Sequence, residues 1–304
     1  MHRTIAAALF VLTFSLPSFA QTDAPAAAAP EAGKPPATKR DIGPSKKLGW
    51  RLGTQAYTFR DRSLFETIDT AKSLGLRYIE AYPGQKMSPD DPAKFNHDTT
   101  PEQRAAVKQK LKDNDIVVMN YGVVDIPQDE AKARKVFDFA KDMDIKTICS
   151  EPKPEAMDTV EKMAKEYGIN VAIHNHPTPS HYWDPKTVAA AIKDRDPRVG
   201  CCADIGHWVR SGIKPVDAMK VVEGRILNFH FKDLNEFGKK EAHDIPWGTG
   251  VSDTRAVLEE AKRQNYKGTI MVEYEHGKGP ELDENVRDDR IRQPQHQESI
   301  SFSW

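Results

Sequence analysis

Cysteine is scarce: Cys149, Cys201 and Cys202 are the whole complement of a 304-residue chain. The number is odd, two are adjacent and all lie in apolar, strand-like runs, which argues against a disulfide framework and predicts buried thiols. An excess of one charge is also missing. Lys and Arg number 44 against 45 Asp and Glu, a formal net charge of -1, and the pI is near 6.8. That balance leaves no electrostatic footprint for nucleic acid or an anionic membrane, and small neutral substrates fit better. Nor is there an apolar run of the roughly 20 residues that a membrane span requires. The longest, Ile5 to Leu16, follows His2 and Arg3 and precedes Ser18 and Ala20. That is the order of a secretory signal peptide over 1–20, so the protein is expected to be exported, periplasmic or secreted, without a membrane anchor. From Gln21 to Lys47 large apolar side chains are few and Ala and Pro dominate, the composition of a flexible linker over 21–47. The remainder, 48–304, suits one large domain.

What is abundant is alternation. Eight short runs rich in β-branched residues, RLGTQAY, LRYIEAY, DIVVMNYG, KTICSE, INVAIHNH, VGCCADIG, RILNFHFK and GTIMVEYE, are separated by amphipathic stretches such as SLFETIDTAKSLG and TPEQRAAVKQKLKDN. Several of the latter open on Ser, Thr, Asp or Pro and close on Gly or Asn, as helices do. Eight βα units predict an α/β fold, a single (β/α)8 TIM barrel with its active site at the carboxyl ends of the strands. After the last strand, GKGPELDENVRDDRIRQPQHQESISFSW has little apolar periodicity and contains Pro294, so the eighth helix is expected to be short, frayed or replaced.

Acids and histidines gather at those strand ends: Glu80, Glu151, His174 and His176, Asp204 and His207, His230 and Asp233, Glu273 and Glu275. Residues two apart on a strand share a face, so His174 with His176, His230 with Lys232, and Glu273 with Glu275 can each present two groups at the barrel mouth. Deprotonated ligands converging from different strands are what a divalent metal requires.

At these residues the chain resembles the xylose isomerase-like TIM-barrel superfamily, which includes sugar isomerases, epimerases, inosose dehydratases and family 2 AP endonucleases. ADIGHW, HFKD, WGTG and VEYE carry the resemblance, and YPG, SEP, HNHP, DIGHW and HFKD together resemble a secreted bacterial subgroup. The resemblance implies metal ligands at His174, where many relatives have Glu, and at Asp204, His230 and Glu273, with Glu151 able to replace the lost carboxylate. Mixed imidazole and carboxylate ligation favours Mn, Co, Fe or Zn over Mg. Such a metal would polarise a substrate carbonyl and stabilise the enediolate formed by loss of a neighbouring proton. His176, His207, Lys232 and Glu275 are the candidates for proton transfer, and Glu80, Trp183 and Trp247 for substrate binding.

Two weaker features lie nearby. Gly248-Thr249-Gly250 looks like a phosphate cradle or a plain turn, and His243 with Asp244 occupies the loop where AP endonuclease relatives carry further ligands. The leading expectation is a metal-dependent isomerase or epimerase acting on a keto-sugar. A lyase or hydratase cleaving a keto-glycoside is the alternative, followed by a metal-dependent phosphodiesterase and a non-catalytic carbohydrate-binding barrel. Barrel relatives often form homodimers, and no segment here identifies an interface.

Overall fold

The protein is described by a computed structural model over residues 43–291. The signal-peptide expectation and most of the linker expectation lie outside the described residues. Folded structure begins slightly before the expected boundary, with a helix at Gly43–Leu48.

All eight expected strands form: β1 (Trp50–Gln55), β2 (Tyr78–Ala81), β3 (Val117–Tyr121), β4 (Thr147–Ser150), β5 (Asn170–His174), β6 (Val199–Asp204), β7 (Ile226–Phe231) and β8 (Gly268–Val272). They pair in parallel and close into a barrel in the order β1-β8-β7-β6-β5-β4-β3-β2. The closing seam is regular, with Trp50 to Thr54 of β1 opposite Gly268 to Val272 of β8. A small antiparallel hairpin, Gln85–Lys86 with Lys94–Phe95, interrupts the connection after β2.

The helices start where their capping chemistry places them. Ser63 and Glu66 form a reciprocal capping box before Leu64–Ser73, and Thr100 and Gln103 do so before Pro101–Asn114, with proline in the first turn. Helix faces bearing Ile68, Val107, Phe137, Val160, Val188 and Val257 are buried against the outer faces of the strands. Among the described residues no helix is long and apolar enough to cross a membrane. The cysteines are free thiols and fully buried, as expected.

The eighth helix is atypical in its polarity, as expected, but it is not short. Gly279–Ile291 is a 13-residue helix, anchored by Leu282 and Val286, one turn apart and each almost completely buried, and by an Arg62–Asp283 ion pair of 2.7 Å. Two apolar anchors in a polar stretch are too few to register as a helical period, and contact with the barrel supplies what the pattern lacks.

Truncating Leu282 tests this anchoring. Leu282→Ala should lower the unfolding free energy by about 2–5 kcal/mol, measured by denaturant titration. Glu281→Ala, on the exposed side, should change it by less than about 0.5 kcal/mol.

Candidate metal centre

Strand alternation builds the centre from below. On β7 and just beyond it, Asn228, His230 and Lys232 project inward at successive levels. β6 brings Cys202 and then Asp204, β5 ends on His174, and Glu273 directly follows β8. His174, Asp204, His230 and Glu273 are all buried, and their ligand atoms lie within 4.8 Å of one another. His174 Nε2 is 3.5 Å from Asp204 Oδ2, and His230 Nδ1 is 3.0 Å from Glu273 Oε2 and 3.9 Å from Asp204 Oδ2. Neither His174 Nε2 nor His230 Nδ1 makes an aligned hydrogen bond, although both are buried. Two unpartnered imidazole nitrogens beside two carboxylates are a donor set that fits a divalent cation.

Lys232 is fully buried at the same point. Its ammonium donates to Asp204 Oδ2 at 2.7 Å and also to Glu273 Oε2, with Glu275 Oε2 at 3.9 Å. Burial disfavours the charge, but Asp204, Glu273, Glu275 and Asp244 together raise the pKa of Lys232 above the usual lysine range. Burial likewise opposes ionisation of Asp204, and His207, Lys232 and His174 hold it well below the carboxylate range. The lysine stem reaches this position because residue 206 is glycine: a Cβ there would lie 2.7 Å from Lys232 Cβ and 2.8 Å from its Cδ.

Below the centre, Glu80, a substrate-binding candidate in the sequence, has no exposure and lies beneath the histidines rather than at the mouth. Its Oε1 accepts from His230 Nε2 at 2.9 Å and Gln55 at 3.0 Å, and its Oε2 accepts from Asn120 at 3.1 Å and Asn228 at 2.8 Å. β2 delivers this carboxylate one level beneath the histidines, where it fixes the His230 tautomer and turns Nδ1 towards the centre. Burial disfavours a charged His230, yet Glu80 on one ring nitrogen and Glu273 on the other raise its pKa well above the ordinary value.

Glu151 stands on the other side of His174. Its Oε1 accepts from the His176 main-chain N–H at 2.8 Å and lies 2.5 Å from His176 Nδ1 and 3.3 Å from His174 Nδ1. It therefore joins His174 and His176 in a second metal-capable trio, separate from the group of four. The His174 imidazole links the two groups, and His176 is the exposed member. Between the two histidines, Asn175 exchanges two 2.9 Å hydrogen bonds with the Asp204 backbone, tying the ends of β5 and β6 together.

Around the rim, His207 donates its main-chain N–H to Asp204 Oδ1 at 2.8 Å, with its ring Nε2 3.5 Å from Oδ2. Arg210 lies one helical turn further on, 3.0 Å from His207 Nδ1 and 2.9 Å from Glu275 Oε2. Burial would raise Glu275, but Lys232, His207 and Arg210 lower it to about 2, whereas burial pushes Asp244 up to about 7.

Asp233 turns away from Lys232 and accepts main-chain N–H bonds from Gly248, Gly250 and Ser252 at 2.8–3.0 Å. The WGTG amides at Gly248 and Gly250 are thus committed to Asp233, and the segment is a turn rather than a phosphate cradle. Trp247 packs at 4.5 Å on Phe231, whose side chain points away from the barrel interior, so packing accounts for its position. Trp183 is half-buried on the loop after β5. His243 stacks on His276 at 4.3 Å. Among the described residues neither His243 nor Asp244 belongs to a metal-capable group.

Sequence reasoning missed Gln55, Asn120, Asn175, Asn228 and Arg210. Asn228 could have been found from its period of two with His230, and Arg210 from its one-turn spacing after His207. The others become partners only through closure of the barrel.

Comparison with known proteins agrees with this geometry. Residues 68–297 match a family model described as xylose isomerase-like TIM barrel. A solved structure of an uncharacterised Parabacteroides distasonis protein is 32% identical, covers 79% of this chain and 96% of its own, and superposes with a TM-score of 0.65. A xylose isomerase-like TIM barrel protein from Mycobacterium smegmatis, solved in complex with magnesium, shares the fold at 16% identity, TM-score 0.63, covering 79% and 94% of the two chains. An inosose dehydratase of Lacticaseibacillus casei is 27% identical over 128 residues, 37% of this chain and 42% of its own length. The match thus spans less than half of that curated relative.

The charge balance at Lys232 can be tested directly. Lys232→Met should destabilise the chelator-treated protein by about 3–5 kcal/mol, because two buried carboxylates lose their cation. Added Mn(II) or Zn(II) should restore much of the loss in a thermal melt.

Proposed function

The chain belongs to the xylose isomerase-like TIM barrel family, and on that premise we propose that it is a divalent-metal-dependent enzyme that abstracts the proton beside the carbonyl of a keto-sugar, yielding an isomer or epimer. The observation that carries this reading is the convergence of His174, Asp204, His230 and Glu273 with two buried imidazole nitrogens that make no aligned hydrogen bond. These four would hold the metal. Two imidazoles favour Mn, Co, Fe or Zn over magnesium, although the Mycobacterium smegmatis barrel was solved with magnesium. When bound, the cation supplies a Lewis acid that polarises the sugar carbonyl.

The chain's own groups do the rest. His176 is exposed, and with Nδ1 committed to Glu151 its Nε2 is the nitrogen that takes the proton. Glu151 steadies the imidazolium that results, as its depressed pKa allows: burial would raise it, but hydrogen bonds from His174 and His176 lower it further. Lys232 and Arg210 offset the carboxylates Asp204 and Glu275 beside the centre, which limits the repulsion met by negative charge developing on the substrate. Returning the proton to the adjacent carbon, with the neighbouring hydroxyl proton passing to the former carbonyl oxygen, gives the isomer; delivery from a second donor on the opposite face gives the epimer.

Elimination is the second reading, favoured by the dehydratase among the relatives. The same carbanion would expel a leaving group from the next carbon. On a 3-keto-glycoside that group is the substituent at C1, and cleavage would follow without the paired carboxylates of an ordinary glycosidase. Export, the reading of residues 1–20, adds weight to glycosides and oxidised sugars as substrates.

Metal analysis by plasma mass spectrometry should find near-stoichiometric Mn, Co, Fe or Zn, lost in Asp204→Ala and in His230→Ala. A wild-type protein that binds none under any loading would sink the proposal. With 3-keto-glycosides in D2O, the metal-loaded enzyme should place deuterium beside the carbonyl, and His176→Gln should slow this by about 10²–10⁴-fold. Release of the C1 substituent in the same assay would select elimination.

A further inference from the structure

A cavity opens on the same end of the barrel as the metal centre, between the connections that follow β1 and β2. It holds about 270 Å³ and is lined by four cations, Arg60, Arg62, Lys86 and Lys94, against two carboxylates, Asp61 and Glu66. The cations outnumber the carboxylates, and although the Glu66 charge is felt by Lys86 and Arg62, its hydrogen bonds go elsewhere. Glu66 is turned back onto Ser63, whose main-chain N–H and hydroxyl donate to it at 2.8 and 2.6 Å. Arg62 is engaged by Asp283. Arg60 and Lys86 make their hydrogen bonds to main-chain carbonyls alone, including Lys86 to Pro89 at 2.9 Å. No carboxylate lies in ion-pair contact with Arg60, Lys86 or Lys94 among the described residues, and all three side chains are exposed.

Two further observations bear on the cavity, and the first ties it to the candidate active site. Arg60 donates to the Glu275 main-chain carbonyl at 2.7 Å, and the Glu275 side chain is held by Arg210 over Lys232. Tyr82 lines the cavity, with Tyr57 edge-on to it at 5.2 Å and the Arg60 guanidinium 5.2 Å from the centre of the Tyr57 ring. Aromatic rings beside exposed cations that lack an ion-pair partner are the pairing that holds a sugar ring bearing a negative group.

We propose that this cavity is a subsite for an anionic sugar residue, its carboxylate or equivalent oxyanion facing Arg60, Lys86 and Lys94 and its ring lying along Tyr82. The proposal rests on the carbohydrate reading above and narrows it: the substrate is a sugar acid, or a glycoside of one, spanning the metal centre and this cavity. The cavity is at the small end of the range for small-molecule sites, roughly 300–1,000 Å³, which fits one sugar unit.

The test is equilibrium binding by titration calorimetry on the full chain, with and without added Mn(II). D-glucuronate, D-glucose and D-glucose 6-phosphate serve as probes, beside the Lys86→Glu/Lys94→Glu double variant. Glucuronate should bind about tenfold tighter than glucose, a gain of the size expected from two or three partly exposed ion pairs. The preference should shrink with added salt. It should vanish in the double variant while the melting temperature stays unchanged. Tighter binding of glucose 6-phosphate than of glucuronate, also lost in the double variant, would support the oxyanion site and assign it to phosphate esters. Equal binding of glucose and glucuronate, or a preference that survives charge reversal, would overturn the proposal. Because no turnover is read, a protein that fails the metal analysis can still pass this test, and one that binds metal can fail it.

Discussion

The charge on Asp204 is the constraint around which the rest is arranged. A carboxylate with no exposure at all is tolerable only if every approach to it is occupied by a donor or a cation. Lys232, His207 and His174 approach its side chain, and Asn175 secures its backbone. Each of these partners brings needs of its own. Lys232 draws in Glu273 and Glu275, and Glu275 requires Arg210. His230, beside Glu273, requires Glu80 on its far nitrogen. The site is a chain of alternating charge, with its most exposed links at His176 and Glu275.

This chain explains why the barrel interior is polar at a depth where branched aliphatic residues normally fill the space. Gln55, Glu80, Asn120, Asn228 and Thr269 form one connected hydrogen-bonded floor, with the Cys149 and Cys202 thiols packed beside it. A floor of this kind holds His230 in a single tautomer and rotamer, which an apolar layer of the same volume would leave undefined.

Much of the architecture was legible in the sequence because it rests on local signals. Eight β-branched runs, the Ser63 and Thr100 caps and the strand-end acids are all readable from short windows, and all appear in the fold. Legibility failed where meaning depends on closure. Glu80 occupies a strand-end position like the others, yet the level at which β2 meets β3 sets it beneath the centre; the register shifts between Ile79 and Glu80. Glu151 and Glu273 are equivalent in sequence terms, but they meet different histidines, Glu151 at His174 and His176 and Glu273 at His230. The helix at Gly279–Ile291 was obscured because its two anchors, Leu282 and Val286, acquire a partner surface only in the assembled barrel.

Gly206 gives the DIGHW and HFKD phrases a shared meaning. The bare Cα in the helical turn just after β6 is the channel through which the lysine just after β7 enters, so the two phrases work as one mechanical part split between the ends of β6 and β7. A side chain at 206 would displace Lys232 before it touched any ligand, and so would alter the charge of the centre from a position that bears no functional group. Divergence within such a barrel would then have to move both positions together: a relative that keeps the glycine has room for a long cation, and one that fills it must neutralise the centre by other means.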